Sequence, residues 1–205
     1  MTSIIFDLDG TLVDSAPLIA SILNEMRPER AVTAAEARKY LTQGGAQIVA
    51  ELLQSDDIDA DLATFRLLYR SRPTQPDCLF PGVRDGLQSL FDAGVLMAIC
   101  SNKPLELCHK ILNDLDLDHF TTIAGSVDGS PLKPDPHLAR QACVGLGPNP
   151  LYVGDSKVDY ETAAVTGIPF AFVTWGYAEE GFSFDGQRFD HFDDLVQFAL
   201  QPAAA

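Results

Sequence analysis

The stretch Ile4-Ile5-Phe6-Asp7-Leu8-Asp9-Gly10-Thr11 is an apolar run that ends in two carboxylates one residue apart. Side chains two apart on a strand share a side, so Asp7 and Asp9 can stand together where the strand ends while Leu8 turns into the core. Gly10 permits a sharp turn and a close backbone approach to a ligand, and Thr11 adds a hydroxyl as the chain leaves the sheet. Two close carboxylates favour a shared proton or a hard divalent cation. One of them could also act as a nucleophile while its neighbour moves protons. Asp-Gly is a turn signal as well, so the remainder of the chain has to separate a site from a turn.

Outward from this strand, short apolar runs at residues 95–100, 121–124, 151–153 and 170–174 alternate with segments whose apolar residues recur every three or four positions. Val83, Leu87, Leu90 and Phe91 make one such stripe; Leu105, Cys108, Ile111, Leu112 and Leu115 make another. That rhythm predicts an α/β fold: a doubly wound parallel sheet with helices on both faces and ligands at the carboxyl ends of the strands. Residues 15–78 break the rhythm. They read as helices over 17–26, 34–41, 46–53 and 62–71, with Pro73-Thr74-Gln75-Pro76 as the return linker. The expected organisation is therefore an α/β core from residues 1–14 and 79–205, with a small helical cap, 15–78, inserted behind the first strand. The region 185–194 reads as a solvated loop and helix start, and 201–205 as a frayed tail.

Composition narrows the function. Fourteen Lys and Arg against 29 Asp and Glu give the 205 residues a net charge of −15, which disfavours nucleic acid and anionic membranes as partners. A small anion would need a locally positive site. At 46% hydrophobic residues the chain can bury a sizeable core. Cys78, Cys100, Cys108 and Cys143 have no metal-binding spacing and read as reduced thiols. The chain passes from Met1-Thr2-Ser3 directly into the strand, so a cytoplasmic protein is expected, as a monomer or homodimer.

Three further strand ends carry polar groups. Ser101-Asn102 follows the second strand, where Ser101 could cap a helix or hold a phosphate oxygen. Lys133, between Pro131 and Pro134-Asp135-Pro136, is the best candidate for local positive charge. Gly154-Asp155-Ser156 ends the fourth strand with Asp159 four residues beyond Asp155, either as a helix cap or as part of an oxygen-rich cavity. Together, Asp7, Asp9, Asp155 and Asp159 would suit a magnesium ion.

In order and separation, these four motifs resemble those of the haloacid dehalogenase superfamily, over essentially the whole chain. The resemblance implies that Asp7 attacks phosphorus to form an aspartyl-phosphate, and that Asp9 protonates the leaving alcohol and later activates water. It implies that Ser101 and Lys133 hold the transferring phosphoryl group. Magnesium would be held by the Asp7 side chain, the Asp9 carbonyl and Asp155, with Asp159 in support directly or through water. Superfamily members that cleave carbon–halogen or carbon–phosphorus bonds lack the acid found here at Asp9, and mutases tend to replace the threonine found here at Thr11. The layout is most similar to phosphoglycolate phosphatases, with Gly44-Gly45 in the matching cap loop and Trp175-Gly176-Tyr177 in a matching segment. The expected activity is magnesium-dependent hydrolysis of a small phosphorylated metabolite, phosphoglycolate first. Thr11, Asn102, Gly44 and Gly45 are expected to meet the substrate. A sugar phosphate, a nucleotide or pyrophosphate as substrate, a phosphomutase, and a non-catalytic binding module are the alternatives. Arg66, Arg70 and Arg72 are cap candidates for a substrate carboxylate, or simply a wet helix face.

Overall fold

A computed structural model describes residues 3–178 and 181–201. The expected strand at 4–6 is β1 (Ser3–Phe6), and all four of its residues are buried. It lies in the middle of a six-stranded sheet with β2 (Leu96–Pro104), β3 (Phe120–Ser126), β4 (Leu151–Gly154), β5 (Phe170–Val173) and β6 (Gln187–Phe189). The order is β3-β2-β1-β4-β5-β6 and every pairing is parallel. Strand order reverses between β1 and β4, and that is where a doubly wound sheet opens its crevice.

Alternation along the strands divides the core. Ile4, Phe6, Met97, Ile99, Leu151 and Val153 face one side of the sheet. Ile5, Ala98, Cys100 and Tyr152 face the other. The first face is covered by α5 (Val83–Asp92), α6 (Leu105–Asp114) and α9 (Phe192–Leu200), through residues such as Leu87, Ile111 and Phe192. The second is covered by α7 (His137–Ala142) and α8 (Lys157–Thr166), through Leu138, Ala142 and Ala163.

Between β1 and α5 the chain forms α1 (Ala16–Met26), α2 (Ala34–Arg38), α3 (Gly45–Ile48) and α4 (Ile58–Ser71). Ile22, Leu23, Ile48, Phe65 and Tyr69 of these segments bury against one another in a core continuous with the sheet's first face. The strands leaving and re-entering the sheet region run side by side: Asp14 N–H donates to the Cys78 carbonyl (2.7 Å) and Phe80 N–H to the Leu12 carbonyl (3.1 Å). Val13 and Leu79 form an isolated antiparallel bridge between them.

Several boundaries differ from the sequence reading. The helix expected over 34–41 stops at Arg38 and gives way to a 3₁₀ turn, Leu41–Gln43. The one expected over 46–53 is a single α turn followed by a π-helical turn, Val49–Leu53, that ends at Gln54 in the left-handed region (φ 48°). The helix expected from 62 starts at Ile58, where Asp57 caps it by accepting from Ala60 N–H. The second strand runs past 100 to Pro104, and β6 lies where a solvated loop was expected. The tail expected at 201–205 lies outside the described residues from 202 onward, as do Met1 and Thr2. Among the described residues no helix is long and apolar enough to cross a membrane, and all four cysteines are free.

Candidate active site

β1 delivers Asp7 to the carboxyl edge of the sheet, where its backbone N–H still bonds to the Val153 carbonyl (2.9 Å). Its carboxylate is buried and meets the Lys133 ammonium at 2.8 Å. Lys133 Nζ also donates to Asp159 Oδ1 (2.7 Å) and to the Cys100 carbonyl (3.1 Å), which accounts for all three of its N–H groups. Burial opposes this charge, but Asp159 and Asp7 outweigh it and hold Lys133 well above the ordinary lysine value. The lysine is held from behind by Asn102, whose Oδ1 accepts from Lys133 N–H (2.7 Å) while its amide reaches the Thr42 and Lys133 carbonyls (both 3.3 Å).

On the other flank, β4 ends at Asp155, which is fully buried. Its Oδ1 accepts from the Thr11 hydroxyl (3.0 Å) and its Oδ2 from Tyr177 N–H (2.6 Å). Backbone packs against it without room for side chains. A Cβ at Gly10, which sits at φ +92°, would lie 2.3 Å from an Asp155 oxygen; one at Gly176 would lie 2.3 Å from both Asp155 Cβ and the Gly10 carbonyl. Asp159 stands in the first turn of α8 in a capping box with Ser156. Its Oδ2 accepts from Ser156 N–H (3.2 Å) and hydroxyl (2.6 Å), and its Oδ1 from Lys133 and the Tyr152 hydroxyl (3.2 Å). The cap and the site are thus the same residue, with both oxygens already engaged.

Asp7, Asp155 and Asp159 each offer an oxygen within 4.8 Å of the others, and all three are buried. Among the described residues, Lys133 is the single ammonium paired with this trio. The electrostatics register the excess negative charge. Burial, against the pull of Lys133 and with Asp159 adding repulsion, raises Asp7 to about 7. Burial, then Asp159 and Asp7, lift Asp155 well above the usual carboxylate range. A donor set of buried oxygens short of positive charge fits a hard divalent cation.

Asp9 turns to different partners. It accepts from the Ser15 hydroxyl and pairs with Lys103 Nζ at 2.9 Å. Asp7, Asp9, Ser101, Asn102, Lys103 and Lys133 border one small cleft of about 20 Å³, roofed by Leu41 and Thr42. Past Asp9, Asn102 and Lys103 it adjoins a cavity of about 240 Å³ that Gly44 and Gly45 also line. Ser101 does not cap α6, which Pro104 precedes; its hydroxyl accepts from Lys103 N–H (3.2 Å) beside the cleft. Thr11 and Asn102, expected at the substrate, spend their polar groups on Asp155 and Lys133. Arg70 and Arg72 pair with Glu106 and Glu25.

Sequence reasoning missed Lys103, Ser15, Tyr152 and the Tyr177 amide as members of this network. Lys103 had a legible signal, since it lies two residues after Ser101 on an extended segment and so shares its side.

A crevice with four carboxylates and two buried lysines at the carboxyl edge of a doubly wound sheet belongs to an α/β enzyme for small anionic substrates. The model of the haloacid dehalogenase-like hydrolases matches residues 4–173, and the chain belongs to that family. It is 33% identical over 186 residues to a phosphoglycolate phosphatase of Rhodobacter capsulatus, covering 85% of each chain. A phosphoglycolate phosphatase of Mesorhizobium japonicum is likewise 33% identical, over 86% of this chain and 84% of its own. Among solved structures, a predicted phosphoglycolate phosphatase from Haemophilus somnus superposes with a TM-score of 0.82 at 25% identity, covering 97% of this chain and 98% of its own.

Proposed function

We propose that this hydrolase cleaves small phosphate monoesters, phosphoglycolate foremost, through a phosphoryl group carried on Asp7. The observation that carries the reading is the Asp7 carboxylate, buried against Lys133 and within reach of Asp155 and Asp159. In the proposed sequence an Asp7 oxygen attacks phosphorus as the ester oxygen departs. Lys133 and Ser101 neutralise and orient the phosphoryl oxygens, and Asp9 gives the leaving oxygen its proton. Asp9 then removes a proton from the water that frees phosphate. Asp9 borders the same cleft as Asp7, which supports its place as the proton-transfer group.

Magnesium would be held by Asp7, Asp155 and the Asp9 carbonyl, and would supply charge to offset the phosphoryl oxygens. Asp159 would support the ion directly or through water while it holds Lys133. Residues 15–78 act as a cap over the site, with the paired segments at Val13 and Leu79 as the hinge. A cleft of about 20 Å³ holds little more than one water, so a phosphoryl group enters only when Leu41 and Thr42 lift. The relatives' printed activity supports phosphoglycolate as substrate. Four free cysteines support a reducing, cytoplasmic setting.

The test is phosphate release from phosphoglycolate with magnesium and with chelator, using Asp7→Asn as the blank. Magnesium-dependent release that the blank lacks is expected. Release that survives chelation or the substitution would overturn the reading.

A further inference from the structure

Lys103 is a second buried ammonium at the site, and the proposed chemistry gives it no contact with phosphate. Its side chain is 7% exposed, 2.9 Å from Asp9 and seated 4.8 Å from the centre of the Tyr69 ring. Burial pulls its charge down, but Asp9 outweighs that and holds Lys103 well above the ordinary lysine value. Asp9 occupies one of its three donors and the Tyr69 side chain lies beside another, which leaves donor capacity for a ligand.

Lys103 lines the 240 Å³ cavity that adjoins the cleft over Asp7. Tyr69 lines it too, and its hydroxyl is buried with no hydrogen-bond partner. Buried hydroxyls almost always have partners, so this one points to a ligand. Burial holds the phenol up to about 12, so it remains a donor. Arg66, three residues before Tyr69 on α4 and on the same helix face, lines the cavity as well and is 3.6 Å from the exposed Asp128. Ile19, Leu62, Phe65 and Leu107 supply apolar walls.

A leaving alcohol attached to phosphorus over Asp7 has to run past Asp9 into this cavity. A neutral chain there would give the Tyr69 O–H no acceptor and the buried Lys103 charge no counterpart beyond Asp9. We propose that Lys103 and the Tyr69 hydroxyl, with Arg66 at the rim, form a carboxylate-reading subsite that selects phosphate esters of hydroxy acids. One lysine, one hydroxyl and a partly committed arginine suit a single negative charge. The selecting cation then comes from β2 of the sheet rather than from Arg70 and Arg72, which pair with Glu106 and Glu25. This inference rests on the phosphate-ester reading and adds the group that chooses the ester.

The experiment compares phosphoglycolate with ethyl phosphate, which carries a methyl where phosphoglycolate has its carboxylate. Phosphate release by the full chain with magnesium is measured for wild type, Lys103→Met and Tyr69→Phe. Wild type should prefer phosphoglycolate in kcat/KM. Lys103→Met should shrink that preference about ten- to a hundredfold, the range of a charge-assisted hydrogen bond. Tyr69→Phe should raise KM for phosphoglycolate more than for ethyl phosphate. If Lys103→Met does not fold by circular dichroism, the Tyr69→Phe comparison decides. Equal losses on both esters would reduce Lys103 and Tyr69 to structural support, and equal wild-type rates would overturn the subsite while leaving the hydrolase reading intact. Release from neither ester by wild type would refute that reading and the subsite with it.

Discussion

Replacing Lys133 by methionine removes a charge but little volume, and the structure sets the size of the effect. The ammonium is shared by Asp7 at 2.8 Å and Asp159 at 2.7 Å, with the Cys100 carbonyl at 3.1 Å. Without it, Asp7, Asp155 and Asp159 remain buried together with no ammonium of the described residues paired to them. Breaking a buried pair by deleting one partner costs about 3–5 kcal/mol, because the other charge stays out of water. Proton uptake limits that cost. Asp7, raised by burial to about 7 even against the pull of Lys133, is neutral at pH 5 and largely ionised at pH 8. The metal-free variant should therefore lose about 3 kcal/mol or more at pH 8 and clearly less at pH 5. Urea unfolding followed by circular dichroism, in chelator at both pH values, measures this. A loss below about 1 kcal/mol at pH 8, or the same loss at both pH values, would refute the argument.

Asp7→Asn should abolish turnover while leaving the unfolding midpoint within a few degrees of wild type, and Asp9→Asn should be nearly as damaging; steady-state phosphate release and thermal melts check both. Magnesium affinity should weaken about tenfold per pH unit below about 7, because the cation must displace the proton that burial holds on Asp7; titration calorimetry at several pH values reads this out. In the metal-free protein the same raised value makes this group's contribution to stability greatest below the unfolded carboxylate value, 3.8, and lost as pH rises through about 7. Gly176→Ala should cost about 2 kcal/mol or more and weaken magnesium binding, since its Cβ would meet Asp155 and the Gly10 carbonyl at 2.3 Å. An alanine variant with unchanged magnesium affinity would remove Gly176 from the account.

What the sequence discloses follows from where the information lies. Asp7, Ser101 and Asp155 each end or follow a buried apolar run, so local pattern alone puts them at one edge of one sheet, whereas Lys133 lies seven residues beyond the half-buried β3. β6 escapes because it is three residues long, and Gln187 and Arg188 are exposed, leaving no apolar alternation to read. The π turn at Val49–Leu53 has ordinary helical composition; its register is a tertiary matter. Asp159 shows why spacing underdetermines role. Its position in the first turn of α8 fits a capping residue and a site carboxylate equally, and the structure makes it both. Lys103 was invisible as a partner of Asp9 and Tyr69, which lie far away in sequence on β1's end and on α4.

The central claim is that Asp7 carries the phosphoryl group. Phosphoglycolate mixed with the wild-type protein and magnesium, quenched in acid during turnover and digested, should yield a phosphorylated peptide in which mass spectrometry assigns the phosphoryl group to Asp7, and none from Asp7→Asn. Turnover by wild type with no phosphoryl group on that peptide, or with the group on another residue, would contradict the account.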